Sequence, residues 1–184
     1  MQRNRKMFKL ETERLILRDM TLDDQDAFVA MSQDAKYQRF YDENDCDPNK
    51  YKQLTELFVA QSTESPRQAY QLAVELKSTN EFIGTVCLRL EQERQASMGC
   101  AFSRASQGSQ LAQEAAFKLA DFGFKELGVH RIYAETISRN LVAINLCRRL
   151  GMRKEAHLKE HRFFKGQWWD TVIMGVLCSE WCNF

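Results

Sequence analysis

No apolar run in the 184 residues approaches the roughly 20 needed to span a bilayer, so no membrane crossing is expected. An excess of one charge is missing too: 26 Lys and Arg stand against 25 Asp and Glu. That balance gives no electrostatic reason to expect nucleic acid or an anionic surface as partner. The one basic cluster, Arg3, Arg5, Lys6 and Lys9, lacks interleaved aromatics and reads as a solvated tail. The opening MQRNRKMFKLETER is broken by charge throughout and holds no signal-peptide core. The cysteines Cys46, Cys87, Cys100, Cys147, Cys178 and Cys182 form no CxxC pair, so reduced thiols and a cytoplasmic location are expected. Neither GxxxxGK[ST] nor GxGxxG is present, which disfavours the common nucleotide-binding loops. His157 and His161, four apart on a strand, would lie roughly 13 Å apart, and no metal site is expected. There is no repeat, low-complexity segment or linker, and 1–184 reads as a single domain.

What is present is an ordered alternation of periods. Leu15-Ile16-Leu17 reads as a short strand, and Thr21 with Asp24 three residues on starts a helix over Ala27, Phe28 and Met31. The acidic and aromatic YQRFYDENDCDP, residues 37–48, reads as a loop, with Pro48 opening a second helix through Phe58. Its acidic part, 42–47, either faces the cleft and attracts a cation or is solvated. Tyr70, Leu72, Val74 and Leu76 alternate with Gln71, Ala73 and Glu75, the pattern of a half-buried strand. A turn at 78–81 pairs it with Phe82–Leu90. Ala96–Phe102 follows as a third strand, with a bulge expected at Gly99.

The next stretch organises the chain. A strand, a turn of small and polar residues and a long amphipathic helix follow one another between Met98 and Glu126. The first-turn N–H groups of a helix have no intrahelical partner, and the helix dipole favours an anion there, so this is where a phosphate-bearing cofactor is expected. Leu111, Ala115, Leu119 and Phe122 form the buried stripe, and Gly128 ends the helix. His130–Ile137 reads as a buried strand, which makes a right-handed parallel crossover. Asn140 caps a short helix with Val142, Ala143, Leu146, Cys147 and Leu150 inward. Two antiparallel strands around Lys165-Gly166-Gln167 complete the chain. Trp168 and Trp169 read as an exposed and a core residue; the C-terminal apolar segment either closes the core or forms a dimer interface, so monomer and homodimer both stand.

The segments TERLILR, FIGTVCL, SQGSQLAQEA, FGFKELGVHRI, NLVAINLCRRLGM and FFKGQWWDTVIMGVLCSEW resemble, in order and spacing, the GNAT acetyltransferases. The branch they resemble includes the ribosomal-protein N-terminal acetyltransferases RimJ and RimL. The resemblance covers nearly the whole chain. It implies a single α/β (α+β) domain with a mixed, splayed sheet of about seven strands and flanking helices. It also implies acetyl-CoA as co-substrate, wedged between the central parallel strands.

By that resemblance the pyrophosphate loop, Gln/Arg-x-x-Gly-x-Gly/Ala, falls on Gln107, Gly108, Ser109, Gln110, Leu111 and Ala112. Phe102 and Arg104 would supply backbone to the cofactor arm, and Asn140 would hold it or a bound water. Gln110 replaces the central glycine; if φ is positive there, the side chain costs on the order of 1 kcal/mol. The implied reaction is acetyl transfer to a primary amine, on a protein N-terminus or a small molecule, by direct attack in a ternary complex. The family's serine and tyrosine acids fall at Ala143 and Cys147, which leaves Cys147 as the acid candidate beside its reading as a core residue. Glu91, Glu93, Glu135, Glu155 and Glu160 are unranked candidates for the base, as is water. These departures motivate an alternative, a non-catalytic acyl-CoA-binding module that senses or scaffolds.

Overall fold

The computed structural model describes residues 7–181. Arg3, Arg5, Lys6 and Cys182 therefore lie outside the described residues, and Lys9 pairs with Glu11 at 2.8 Å. The chain runs β1 (Lys9–Glu11), β2 (Leu15–Asp19), α1 (Gln25–Ser32), α2 (Pro48–Ser62), β3 (Ala69–Leu76), β4 (Glu81–Leu90) and β5 (Gln95–Phe102). It continues with α3 (Leu111–Lys125), β6 (Arg131–Ile137), α4 (Leu141–Arg149), β7 (Arg153–Phe164), β8 (Gln167–Leu177) and α5 (Cys178–Trp181). The described strands form one sheet in the order β1-β2-β3-β4-β5-β6-β8-β7. This corrects the expected seven to eight. β1 escapes periodicity because three mostly exposed residues become a strand only by pairing with β2.

Local chemistry sets the element ends. A 3₁₀ turn over Leu22–Asp24 leads into α1, and the Asp24 carboxylate accepts the Thr21 N–H at 2.8 Å. The same carboxylate receives two N–H bonds from Arg18, at 2.7 and 2.8 Å, while Arg18 also reaches Glu75 at 2.5 Å. Pro48 stands at the start of α2, capped by Asp47, whose side chain accepts the Asn49 N–H at 2.8 Å. The loop before it holds two 3₁₀ turns, Gln38–Phe40 and Asn44–Cys46. Lys165 and Gly166, at φ 50° and 69°, make the two-residue turn whose twist suits a β7–β8 hairpin.

Two layers of helix cover the sheet. Leu72, Val86, Leu88 and Val74 pack with Ala116, Leu119 and Ala120 of α3 in the main core. On the other face Phe28, Tyr51 and Phe58 of α1 and α2 pack on Ala73. β3 is thus covered on both sides: Gln71 is as buried as Leu72, where alternation predicted a half-exposed strand. The segment ending at Trp181 closes the core, its indole tilted against the Phe117 and Phe124 rings and donating to Asp121 at 3.1 Å. Trp169 is buried and Trp168 exposed.

Two further corrections follow from packing, and one open alternative closes. The β4–β5 register runs unbroken through Gly99, so there is no bulge there. Val142 is 76% exposed, because the buried stripe of α4 runs through Ile144 and Cys147 instead. The acidic segment does not line the cavity: Asp45 pairs with Lys50, Asp42 lies 3.6 Å from Arg162, and Glu43 accepts the Lys165 N–H.

Candidate active site

β5 and β6 are parallel neighbours for only three residue pairs, Gln95 with Arg131, Ala96 with Ile132 and Ser97 with Tyr133. Beyond Ser97, β5 stays with β4 while β6 follows β8. The two strands part, and the gap opens into a cavity of about 320 Å³. The polarity of the exposed edge follows from the ladder. Ser103 donates its N–H to Ile83 and Gln95 accepts from Glu91, both on the β4 side. Alternation then turns the backbone groups of Met98, Cys100 and Phe102 toward the gap. This is the edge on which the sequence placed Phe102 as a backbone donor.

The strand ends in a 3₁₀ turn over Arg104–Ser106, followed by Gln107, Gly108, Ser109 and Gln110. Gly108 has φ 88° and Gln110 φ 63°. The left-handed branch considered for Gln110 is therefore the one the backbone takes, and its side chain makes no capping bond to α3. The backbone N–H groups from Gly108 through Gln113, Leu111 and Ala112 included, meet no acceptor among the described residues. Such a run of unpaired donors at the start of a 15-residue helix is suited to phosphate oxygens. The turn is braced from outside. Arg14 donates to the Ser109 carbonyl at 3.0 Å and to Glu114 at 2.7 Å, and Thr12 donates to the same carboxylate. Burial pushes the Glu114 carboxyl up, but these Thr12 and Arg14 bonds outweigh it and hold the group below its ordinary value. Only TERLILR pointed toward Arg14, and no local signal linked it to Glu114.

Across the gap, Asn140 caps α4: its side-chain oxygen accepts the Ala143 N–H at 3.3 Å. It lines the same cavity as Ala143 and Cys147. Cys147 is 7% exposed, and burial pushes its thiol up to about 11. Arg104 stays on the exposed loop.

Several groups at the far end escaped sequence reasoning. Tyr37, Tyr41 and Tyr51 converge there, the first two with rings stacked 5.2 Å apart at 3°. The Tyr37 ring also meets the Tyr51 ring edge-on at 6.2 Å, and burial raises all three hydroxyls, Tyr51 to about 12. Tyr37 and Tyr41 sat inside the acidic loop, where charge masked their inward faces. Gln71 also lines the cavity.

The acidic candidates separate. Glu91 accepts from the Tyr133 hydroxyl, Glu155 from Arg131, and Glu160 sits on a β7 bulge at φ 47°. Glu93 occupies an exposed 3₁₀ turn at φ 56°. Glu135 alone among the five lines the cavity. His157 bonds Asp170 at 2.8 Å and His161 bonds Thr171 at 3.1 Å. Among the described residues no group of three His, Cys, Asp or Glu side chains is placed to hold a metal.

Residues 14–153 match the model of the Acetyltransferase (GNAT) domain. The uncharacterized N-acetyltransferase p20 of Bacillus licheniformis is 29% identical over 180 residues, covering 96% of this chain and 100% of that protein. A spermidine N(1)-acetyltransferase of Vibrio cholerae is 31% identical over 77 residues, 42% of this chain and 44% of its own. In structure, the ribosomal-protein α-N-acetyltransferase RimL in complex with coenzyme A superposes with a TM-score of 0.82 at 14% identity, covering 92% of this chain and 98% of that one. The family match takes in both sides of the gap and the loop between them, and the chain belongs to the GNAT acetyltransferases, acetyl-CoA-dependent N-acetyltransferases.

Proposed function

We propose that the parted strands hold acetyl-CoA and that the acetyl group passes directly to a primary amine entering from the tyrosine side. The observation that carries this is the loss of β5–β6 pairing after Ser97, beside the unpartnered N–H groups of 108–113. Gly108, Ser109, Gln110, Leu111 and Ala112 hold the pyrophosphate through backbone donors; Gln107, expected among them, instead gives its N–H to the Arg104 carbonyl at 3.2 Å and closes the turn before the loop. The edge of β5 at Phe102, with Arg104 beyond it, meets the extended arm, and Asn140 keeps a side-chain N–H₂ for it while its oxygen caps α4. Acetyl-CoA supplies the thioester acyl group.

The protein's own part is mainly alignment, worth about 7–11 kcal/mol of barrier when two reactants are held in line. A β5 N–H turned to the gap stabilises charge developing on the carbonyl oxygen. Burial raises the Cys147 thiol to about 11, which disfavours it as a nucleophile and makes it a weaker acid than an ordinary thiol; its place on the cavity wall beside Ala143 is what supports it as proton donor to the leaving thiolate. Glu135, the one cavity-lining carboxylate, takes the ammonium proton at the mouth. The five described cysteines are free thiols, in keeping with a cytoplasmic enzyme. No helix among the described residues is long and apolar enough to cross a membrane. The acceptor is a protein N-terminus or a small-molecule amine.

The test is thiol release from acetyl-CoA with a panel of amines and peptides, alongside the melting temperature with CoA. Release with at least one acceptor and a CoA-induced rise are expected. A rise without release would favour a non-catalytic acyl-CoA-binding module; no rise would overturn the cofactor site itself.

A further inference from the structure

Gln71 is 5% exposed and lines the cavity. Its carboxamide makes no hydrogen bond to another described side chain or backbone group, and it is not among the sealed polar atoms that lack a partner, so it opens on the cavity. Buried side-chain amides are ordinarily paired, so one that opens on a ligand cavity without a protein partner is free to bond whatever enters there, displacing water. The backbone register explains how it points inward. Gln71 lies opposite Cys87 on β4, and Cys87 opposite Gly99 on β5. Ala73, two residues on and on the same face, packs under Phe28, Tyr51 and Phe58. Gln71 therefore sits on the sheet floor beneath α1 and α2. Gly99 keeps that floor low: a Cβ there would come within 3.3 Å of the Cys87 sulfur.

The charges around this floor are few. Among the cavity-lining residues only Arg89 and Glu135 are charged, and they have opposite sign. The rest of the lining is uncharged: aromatic and aliphatic side chains, thiols and thioethers, hydroxyls and the Asn140 amide, with Tyr37, Tyr41 and Tyr51 among them. A polyamine brings two or more ammonium groups into the site, and a buried charge without a partner is costly. A carboxamide, with one acceptor and two donors, complements another amide or carbonyl.

We propose that Gln71 is a specificity-determining residue of the acceptor site, and that the acceptor is a monoamine carrying a neutral amide or carbonyl beside the reacting nitrogen, not a polyamine. The inference rests on the reading of the parted strands as the acetyl-transfer site. Retaining an unpaired amide on a packed floor costs stability, as residues kept for binding often do. The isosteric, apolar Gln71→Met should therefore raise the melting temperature, whereas a merely structural glutamine would lower it on replacement.

The experiment titrates CoA-saturated protein calorimetrically with phenylalaninamide, with phenethylamine, which lacks only the carboxamide, and with spermidine. Turnover is not required, and acetylation rates with the same three amines provide a parallel series. Wild type should bind phenylalaninamide about tenfold tighter than phenethylamine, the factor a neutral amide pair supplies. In Gln71→Met that preference should shrink to about twofold or less, and Gln71→Glu should shift preference toward spermidine. A wild type that favours spermidine, or a Gln71→Met protein that keeps the tenfold preference, would overturn the inference. A lower melting temperature for Gln71→Met would overturn it too. Absence of any CoA-induced stabilisation would remove the acetyl-transfer reading and this inference with it. CoA binding without an amide preference would remove the inference alone.

Discussion

Replacing Gln110 by glycine should stabilise the protein and leave its cofactor affinity nearly untouched. Gln110 holds φ 63° and ψ 10° as the residue before α3, with no side-chain bond to the helix in return. A left-handed L-residue costs about 1–2 kcal/mol. Glycine removes that strain but adds unfolded-state freedom worth about 0.5–1 kcal/mol. The net gain is about 0.5–1 kcal/mol, or a rise of about 2 °C in melting temperature for a chain of this size. The strained turn is fixed by contacts within the chain: Arg14 holds the Ser109 carbonyl, and the Ser109 hydroxyl donates to the Ser106 carbonyl at 3.0 Å. Strain held by the fold is not released on binding, so the CoA dissociation constant should move less than about threefold. Scanning calorimetry and CoA titration of wild type, Gln110→Gly and Gln110→Ala provide the assay. The alanine variant keeps the strain and should gain nothing. A lower melting temperature for Gln110→Gly would refute the reasoning. So would an unchanged one with CoA bound tenfold tighter, because the turn would then be set by the ligand.

The Cys147 thiol, raised by burial to about 11, should react with iodoacetamide slowly at pH 7.5 and about tenfold faster per pH unit up to that value. Peptide mass spectrometry follows it, and a rate already level by pH 9 would contradict the assignment. Cys147→Ala should lower kcat by about a hundredfold with the KM for acetyl-CoA within threefold, the pattern of a lost proton donor. Arg18→Met leaves the buried Asp24 and the part-buried Glu75 without their cation, and should cost about 3–5 kcal/mol in urea unfolding. At Asp24 burial pushes the carboxyl up, but the Arg18 and Thr21 bonds prevail and lower it. Its contribution is therefore complete above the ordinary carboxylate range and lost as pH falls through the lowered folded value. Urea midpoints measured below about pH 4 should fall more steeply in wild type than in Asp24→Asn.

Where one residue type decides a local conformation, the sequence was legible. Pro48 starts α2, Thr21 and Asp24 open α1, and Lys165-Gly166 turns the last hairpin as expected. The crossover through α3 was legible as well, since its long buried stripe admits few alternatives. The strand–turn–helix over β5 and α3 was legible from its order, and only the backbone angles of the turn between them remained to be found. What could not be read depends on cover from distant segments. Gln71 looked like the outer face of an amphipathic strand because α1 and α2, which bury it, announce nothing about where they lie. The three tyrosines converge from a loop and a helix, and their proximity has no counterpart in spacing. Val142 fits a helical stripe as well as Ile144 does, and only the position of α4 over β6 and β8 turns one outward. Glu135 became distinguishable from its four acidic neighbours once their partners were seen.

The central claim is direct transfer between two molecules held together in the gap between β5 and β6. Initial rates over a matrix of acetyl-CoA and acceptor concentrations test it most directly. Intersecting double-reciprocal lines are predicted, with intact mass unchanged when the protein meets acetyl-CoA alone. Parallel lines, together with one acetyl group retained on Cys147, would contradict it.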